Sequence, residues 1–230
     1  MASRDLGTVV VTGGASGLGA AIARAIAQNG GTPVVLDRVE PPFDVEHVVV
    51  DLADRAAAED AVRGAAERHG GLDAVVAAAG TDSCGKLDDV PRDDWERVVL
   101  VNLLGTAAVV RAALPYLEAS EGRVVTVAST LGLRALSDAT AYCASKFGVV
   151  GFTRALTAET AGRVGVTLLL PGGMQTNFFD GRPDEYKPGP DAQLNRPEDV
   201  ADAVLFALTR PAGCEVRELL VAPARESSWP

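Results

Sequence analysis

The chain has 230 residues and is 47% hydrophobic, with a formal net charge of −10. This length allows one sizeable core, and the hydrophobic content excludes wholesale disorder. The acidic balance argues against nucleic acid or an anionic membrane surface as a partner.

The first predicted elements are a strand, a glycine-rich turn and a helix. Residues 7–12 are apolar and rich in valine, as in strands that are buried on both faces. Residues 12–19 read Thr-Gly-Gly-Ala-Ser-Gly-Leu-Gly, and the Ala-rich stretch after them is a strong helix former. Glycines at a helix N-terminus let the backbone approach a pyrophosphate, which the free N–H groups attract. A plain turn that needs glycine for positive φ is the less favoured alternative.

The second apolar run, residues 33–37, ends in Asp37, eighteen residues after Gly19. An acid at this distance matches the residue that hydrogen-bonds the adenosine ribose of NAD. It would repel the extra phosphate of NADP, although the neighbouring Arg38 could offset that repulsion. The pattern favours NAD(H) over NADP(H), with an ordinary strand-end acid as the alternative reading of Asp37.

A tyrosine and a lysine stand four residues apart in a predicted helical segment, residues 141–161. In a helix, Tyr142 and Lys146 project from the same face, one turn apart. A nearby cation favours the ionised phenol, which makes a tyrosine a usable proton donor and acceptor near neutral pH. A surface tyrosine beside a solvated lysine is the alternative.

Strand-like runs and Ala-rich helical stretches alternate along the whole chain. This alternation predicts an α/β fold, a Rossmann-type doubly wound parallel sheet of about seven strands with helices on both faces. Ligands bind such sheets at the carboxyl ends of the strands, where several candidate residues are expected to converge. The predicted strands cover residues 7–12, 33–37, 47–51, 73–79, 123–129, 165–170 and 216–222.

The glycine turn and the Tyr142–Lys146 pair together resemble the short-chain dehydrogenase/reductase family, in its short single-domain branch. The resemblance covers almost the whole chain, because further motifs follow in the family's order and spacing. It implies the strand order 3-2-1-4-5-6-7 and one domain over residues 1–230, with a short substrate lid at about 177–195. The catalytic residues that it implies are Asn102, Ser129, Tyr142 and Lys146. The implied dinucleotide-binding residues are Gly13, Ser16, Gly17, Leu18, Gly19, Asp37, Arg38, Asp51, Leu52, Ala79, Gly80, Tyr142, Lys146, Pro171, Gly172 and Thr176.

The activity that the resemblance implies is the interconversion of a secondary alcohol and a ketone by hydride transfer with NAD(P). Ser129 and Tyr142 would hydrogen-bond the substrate oxygen. Lys146 would lower the tyrosine pKa and hold the nicotinamide ribose, and Asn102 would complete a proton path through a water. A catalytically silent dinucleotide sensor or scaffold is the alternative, although such proteins usually lose the tyrosine or the lysine.

One motif departs from the family. Where the family usually has Asn-Asn-Ala-Gly after the fourth strand, this chain has three alanines and Gly80 at positions 77–80. The missing amides would have tied neighbouring strands together, so the departure questions the local rigidity beside the cofactor. Gly80 still permits a close approach of the backbone.

The remaining features concern assembly and location. The segments 92–118 and 141–161 carry apolar residues on more than one face, which predicts a homo-oligomer, a tetramer or dimer, against a well-buried monomeric core. Asn102 and Arg111 interrupt the best candidate for a membrane span, so no membrane association is expected. Three scattered cysteines and two histidines have no ligand-like spacing, which predicts no metal site and a reducing, cytoplasmic location.

The residues expected to face a small-molecule substrate are chemically mixed and do not select one substrate. The segment after Thr176 could equally be a mobile surface loop, and the role of the tail, residues 226–230, is not decided by the sequence. The candidate substrate-facing residues are Asp82, Ser83, Leu131, Leu133, Arg134, Met174, Phe178 and Phe179.

Overall fold

The structure, a computed structural model, describes residues 4–226 of the chain. Seven parallel strands form one sheet in the order β3-β2-β1-β4-β5-β6-β7, which confirms the predicted topology. Residues 227–230, most of the tail considered above, lie outside the described range. The strands are β1 (Thr8–Thr12), β2 (Thr32–Asp37), β3 (Glu46–Val49), β4 (Ala74–Ala77), β5 (Arg123–Val127), β6 (Gly165–Pro171) and β7 (Glu218–Val221).

Helices cover both faces of this sheet. Successive residues of a strand point to opposite faces, so Val9 and Val11 pack with α1 and α6, whereas Val10 packs with α2 and α4. Both faces are therefore closed by apolar side chains, as an all-parallel sheet requires. The helices are α1 (Gly17–Gln28), α2 (Arg55–His69), α3 (Arg92–Val99), α4 (Thr106–Ser120), α5 (Thr140–Glu159) and α6 (Pro197–Leu208).

A π-helical segment, Leu100–Gly105, joins α3 to α4, so the predicted helical segment 92–118 is not one regular α-helix. A wider turn is common where a helix serves a functional site. It carries Asn102, whose side chain is buried, and the hydroxyl of Thr106 donates to the Asn102 carbonyl at 2.8 Å.

The stretch Arg92–Ser120 is long and apolar enough, by length and composition, to cross a membrane, since an 18-residue window within it has a mean hydropathy of 1.8. The expectation that Asn102 and Arg111 would prevent this was wrong, because the surrounding apolar residues outweigh them. However, α4 supplies Val109, Val110 and Leu117 to the buried core. Since these side chains are covered by the protein itself, the stretch is a core helix.

Strand boundaries differ from the prediction where the chain leaves the sheet to build the site. The predicted strand 73–79 ends at Ala77, because Ala78 and Ala79 turn toward the glycine-rich segment. The last strand is shorter than 216–222 and covers Glu218–Val221. The carboxyl ends of β1, β2, β4, β5 and β6 all lie along one edge of the sheet.

Candidate active site

The turn between β1 and α1 is packed too closely for side chains. Gly13 has φ +70°, and a Cβ there would lie 2.7 Å from the Cα of Ala79. A Cβ on Gly19 would collide with the carbonyl oxygen of Gly13. Gly17 has φ +52°, in the left-handed region that favours glycine. The glycines are therefore required by the backbone, and the turn presents main-chain atoms where other residues would present side chains.

The first turn of α1 has no side-chain cap. Ser16 is extended (φ −150°, ψ 173°) and its hydroxyl makes no capping hydrogen bond. The first N–H groups of a helix have no acceptor within the helix, so this end attracts an anion. The side chain of Leu18 is buried in the core, which leaves its backbone N–H as its contribution to the turn.

Asp37 at the end of β2 holds the glycine turn. Its Oδ2 accepts from the Ala15 N–H at 3.0 Å, and its Oδ1 accepts from the Val39 N–H at 3.3 Å. An ionised carboxylate can accept about four hydrogen bonds, so acceptor positions remain. The side chain of Arg38 is exposed beside it.

Asp51 follows β3 and is tied down by two donors. The Ala53 N–H donates to its Oδ1 at 3.0 Å, and an Arg97 guanidinium nitrogen lies 2.8 Å from its Oδ2. These two hydrogen bonds hold the pKa of Asp51 below its usual value, and the one from the Ala53 N–H has the larger effect. Leu52 is buried, and its carbonyl oxygen would lie 2.9 Å from a Cβ on Gly105.

Other groups replace the amides missing from the three-alanine segment. The hydroxyl of Thr12 accepts from the Ala79 N–H at 3.1 Å. Asn102 accepts from the Thr81 N–H at 2.8 Å and donates to the Thr81 carbonyl at 2.9 Å. Gly80 lies between the anchored residues Ala79 and Thr81, and a Cβ on Gly80 would be 3.6 Å from the Nζ of Lys146. The loop after β4 is thus anchored on both sides of Gly80.

Ser129, Tyr142 and Lys146 form one cluster beside this loop. The hydroxyls of Ser129 and Tyr142 are hydrogen-bonded. The Nζ of Lys146 lies 5.6 Å from the centroid of the Tyr142 ring and donates to the Val127 carbonyl at 2.8 Å. A serine and a phenol that share a hydrogen bond can both contact one substrate oxygen.

Asn102 reaches the same helix through a residue that the sequence reasoning missed. Its Nδ2 donates to the hydroxyl of Ser145 at 3.0 Å, and that hydroxyl donates to the Tyr142 carbonyl at 2.8 Å. Ser145 is fully buried. The sequence signal for Ser145 was its position between Tyr142 and Lys146. A hydroxyl buried at that position needs a hydrogen-bond partner.

The pKa values differ from the expectation that Lys146 would lower the tyrosine pKa. Burial raises the pKa of Tyr142, and the Asp82 carboxylate acts in the same direction, whereas the hydrogen bond from Ser129 and the charge of Arg182 act against them. Burial lowers the pKa of Lys146 to about 8. Desolvation disfavours the charged form of both groups and is the largest cause of each shift.

The segment after β6 lies against the glycine turn. The side chain of Thr176 would be 3.4 Å from a Cβ on Gly17, and its hydroxyl accepts from the Phe178 N–H at 3.4 Å. The Gly172 N–H donates to the Val221 carbonyl at 2.9 Å after Pro171 ends the strand. Glu226, from the end of the described chain, accepts from the Gly173 N–H at 2.8 Å.

The segment from Asn177 to Tyr186 crosses the site. The rings of Phe178 and Tyr142 have centroids 5.7 Å apart. Arg182, to which the sequence reasoning gave no role, lies 2.6 Å from the Asp82 carboxylate. Its partner is a hundred residues away in the chain, so no local pattern could have revealed this contact.

Five of the eight candidate substrate-facing residues fall into two groups. Phe178 lies next to Tyr142 and Phe179 packs on Phe178, while Asp82 acts on Tyr142 through its charge. Leu133 and Met174 instead pack against buried clusters of the core, which accounts for their apolar character. Among residues 4–226, no cluster of three or more His, Cys, Asp or Glu side chains forms a potential metal site.

An uncapped helix, a glycine-rich turn and a Ser–Tyr–Lys cluster thus meet at one edge of the sheet. The sequence matches the short chain dehydrogenase family over residues 7–187, most of its length. The chain belongs to this family and is an NAD(P)-dependent oxidoreductase.

Individual relatives agree with this assignment. An uncharacterized oxidoreductase of Staphylococcus aureus strain MW2 is 34% identical over 226 residues, covering 93% of this chain and 96% of that protein. An alcohol dehydrogenase from the archaeon Thermococcus sibiricus, complexed with 5-hydroxy-NADP, superposes with a TM-score of 0.84 at 26% identity, covering 93% and 95% of the two chains. A short chain dehydrogenase from Burkholderia cenocepacia J2315, in complex with NADP, gives 0.83 at 28% identity, covering 95% and 98%.

Proposed function

We propose that this protein interconverts a secondary alcohol and a ketone, with Tyr142 as the proton donor and acceptor. The observation that carries the proposal is the hydrogen bond between the Ser129 and Tyr142 hydroxyls, beside the Lys146 ammonium and the glycine turn. Only a group that meets both hydroxyls, such as a carbonyl or alkoxide oxygen, uses this arrangement fully.

The residues present fit a nicotinamide dinucleotide. The cradle formed by Gly13 and Gly19 admits main-chain contact with a pyrophosphate, and the uncapped N–H groups after Ser16 would bind its charge. Asp37 would accept from the adenosine ribose, and Lys146 from α5 would donate to the other ribose. The remaining contacts are proposed for Gly17, Leu18, Arg38, Asp51, Leu52, Ala79, Gly80, Tyr142, Pro171, Gly172 and Thr176.

A bound dinucleotide supplies or accepts the hydride at its nicotinamide ring. In the reductive direction, Ser129 donates a hydrogen bond to the substrate oxygen, and Tyr142 gives its proton to that oxygen as negative charge develops. Lys146 remains a cation below about pH 8 and favours the resulting phenolate. Asn102 holds the loop next to Lys146 and completes the route by which a water returns the proton.

The Asp37 carboxylate favours NAD(H) over NADP(H). It sits at the end of β2 beside the turn, where the 2′-phosphate of NADP would meet a negative charge. Arg38 is exposed and offsets this charge only in part. The two structural relatives described above were determined with NADP-type ligands, so both cofactors belong in the assay.

A homo-oligomer is also part of the proposal. The exposed face of α5 carries Ala144, Phe147 and Gly151, which recur at helical spacing, and 44% of the Phe147 side chain is accessible. A flat apolar face of this kind suits contact with the same helix of a second copy. Other apolar residues of the two segments on which the prediction rested, among them Val109, Leu117 and Val150, lie in the core of the chain. The proposal includes a cytoplasmic location, which three unpaired cysteines support because thiols stay reduced there.

The decisive experiment mixes the purified protein with NADH or NADPH and a panel of ketones and alcohols, and follows the absorbance of the reduced nicotinamide. The Tyr142→Phe variant should lose turnover by at least about a thousandfold, while its dinucleotide affinity stays within a few-fold. Tyr116→Phe, which changes a partly buried tyrosine packed against another part of the core, is the matched control.

Near-normal turnover in Tyr142→Phe would refute the assigned proton donor. Dinucleotide binding without turnover on the whole panel would favour the alternative, a silent sensor or scaffold on the same fold.

A further inference from the structure

The segment over the site is held by an ion pair. A guanidinium nitrogen of Arg182 lies 2.6 Å from the Oδ2 of Asp82, in the loop after β4. The same guanidinium stacks on Phe178 and Phe179, with its carbon 5.0 and 4.6 Å from the two ring centroids. Tyr186 adds a hydrogen bond to Asp138. Residues 177–186, the first part of the lid expected at about 177–195 and called the lid from here on, are thereby joined to two loops of the site.

This pair differs from a casual surface contact. The side chains of Asp82 and Arg182 are only 5% and 18% exposed, whereas isolated exposed ion pairs contribute little to stability. The Nε of Arg182 is buried and finds no acceptor among residues 4–226. Burial of an unpaired N–H costs free energy, so the carboxylate and the two rings must hold the guanidinium firmly enough to offset that cost.

The pair also faces the proton donor. Phe178 bridges from Arg182 to the ring of Tyr142. The negative charge of Asp82 opposes ionisation of Tyr142, and the positive charge of Arg182 favours it. Asp82 also acts on Lys146 and accepts a hydrogen bond from the Cys84 thiol at 3.1 Å. The titratable and charged groups that face Tyr142 or this pair are Asp82, Cys84, Asp138, Cys143, Lys146, Arg182 and Tyr186.

We propose that Arg182 is a positioning residue for the reaction: paired with Asp82, it closes the lid against Tyr142 and supplies the cation that balances the carboxylate whose charge acts on the tyrosine. This inference rests on the proposed function for its catalytic meaning. When the lid opens, Arg182 leaves and Asp82 faces the phenol alone. Closure of the lid therefore covers the substrate and, at the same time, makes Tyr142 a stronger acid.

The signs of the expected changes are opposite for the two partners. Arg182→Met leaves the Asp82 carboxylate unbalanced, which raises the pKa of Tyr142. Asp82→Asn removes the negative charge, which lowers the pKa of Tyr142. One charge at several ångströms in a partly solvated site shifts a pKa by about one pH unit. The double variant should return toward the wild type, and Arg182→Lys should restore the wild-type behaviour because it keeps the cation.

The test measures Tyr142 directly and needs no turnover. Tyrosinate absorbance is titrated with alkali in each protein and in its Tyr142→Phe counterpart, and the difference isolates Tyr142 from Tyr116 and Tyr186. Asp82→Asn should ionise at least about one pH unit below the wild type, and Arg182→Met should ionise above it. Far-ultraviolet circular dichroism at each pH defines the range in which the protein is folded, and the onset of Tyr142 ionisation is compared within that range: first in Asp82→Asn, then in the wild type and last in Arg182→Met.

Lys187→Met is the matched control. It breaks the ion pair between Lys187, which follows the lid, and Asp184, whose side chain is 95% exposed. It should leave the titration unchanged. Wild-type curves in both single variants, or shifts in the same direction, would overturn the proposal.

The pH dependence of kcat/KM for alcohol oxidation provides the catalytic counterpart, since its alkaline midpoint should move with the tyrosine titration. Absence of turnover in the wild type would refute the proposed function and leave the titration result to decide the role of Arg182.

Discussion

The side chain of Asn102 forms two hydrogen bonds with the backbone of Thr81, accepting from its N–H at 2.8 Å and donating to its carbonyl at 2.9 Å. This paired contact joins the π-helical segment between α3 and α4 to the loop after β4. The same amide donates to Ser145 on α5. One side chain therefore connects the three parts of the chain that surround Lys146.

Asn102→Ala should destabilise the protein as well as reduce turnover. The substitution leaves the N–H and the carbonyl of Thr81 without the partner that Asn102 provides. Asn102 itself is buried, with 1% of its surface accessible. Loss of a buried network of this size costs about 2–3 kcal/mol. Urea unfolding measures the change, and Asn177→Ala, on an exposed residue, serves as the control. Equal stability of the two variants would mean that the network contributes nothing.

Asp37→Ala should raise the ratio of kcat/KM with NADPH to that with NADH by at least about tenfold, because the repulsion of a 2′-phosphate disappears. Asp37 also accepts hydrogen bonds from Ala15 and Val39, so the alanine variant should use NADH less well. Asp37→Asn keeps an acceptor oxygen without the charge and separates the two effects. An unchanged ratio in both variants would show that the ribose contact was misplaced.

Lys146 should make stability depend on pH in a way that Lys146→Met does not. Its pKa falls from 10.5 to about 8 in the folded chain, so the unfolded chain binds this proton more tightly. Between about pH 8 and about pH 10, the free energy of unfolding of the wild type should therefore rise relative to that of Lys146→Met by about 1.4 kcal/mol per pH unit. Below this range the difference should be constant. Urea unfolding of both proteins across the range tests it, and a difference that does not vary with pH would contradict the buried ammonium.

Phe147→Glu should reduce the size of the assembly, because it places a charge on the apolar face of α5. Light scattering after size-exclusion chromatography measures the mass of the particle. Phe206 is exposed on α6, a different surface, and Phe206→Glu reports whether a second interface exists. A monomeric wild type would refute the proposed oligomer, and a reduction to dimers by one substitution alone would indicate a tetramer.

Local sequence was sufficient for the frame of the molecule. The valine runs and the alanine-rich stretches alternate as strands and helices because burial on both faces of a parallel sheet leaves little choice of residue. The glycines after β1 predicted the turn because only glycine adopts positive φ at Gly13 without strain. The spacing of Tyr142 and Lys146 predicted their common helix face, and resemblance to a family supplied the strand order.

Burial reversed one chemical expectation. Spacing alone placed a cation near the Tyr142 phenol and suggested a lowered pKa. In the folded chain, desolvation raises the pKa of Tyr142 and lowers that of Lys146. Desolvation depends on all the atoms packed around a group, and no short motif records it.

The sequence by itself determined the order of the strands' apolar runs, the glycine turn and the spacing of Tyr142 and Lys146, because each depends on neighbours within a few residues. The resemblance to a family, and no local pattern, added Asn102 and Ser129 to the candidate catalytic set. Only the tertiary structure decided that Arg182 meets Asp82, that Asn102 holds Thr81 and that Glu226 reaches Gly173. These partners lie 100, 21 and 53 residues apart along the chain. Contacts of this kind arise from how the loops meet at the edge of the sheet, and hydrogen-bond and charge geometry exists only once that edge is formed.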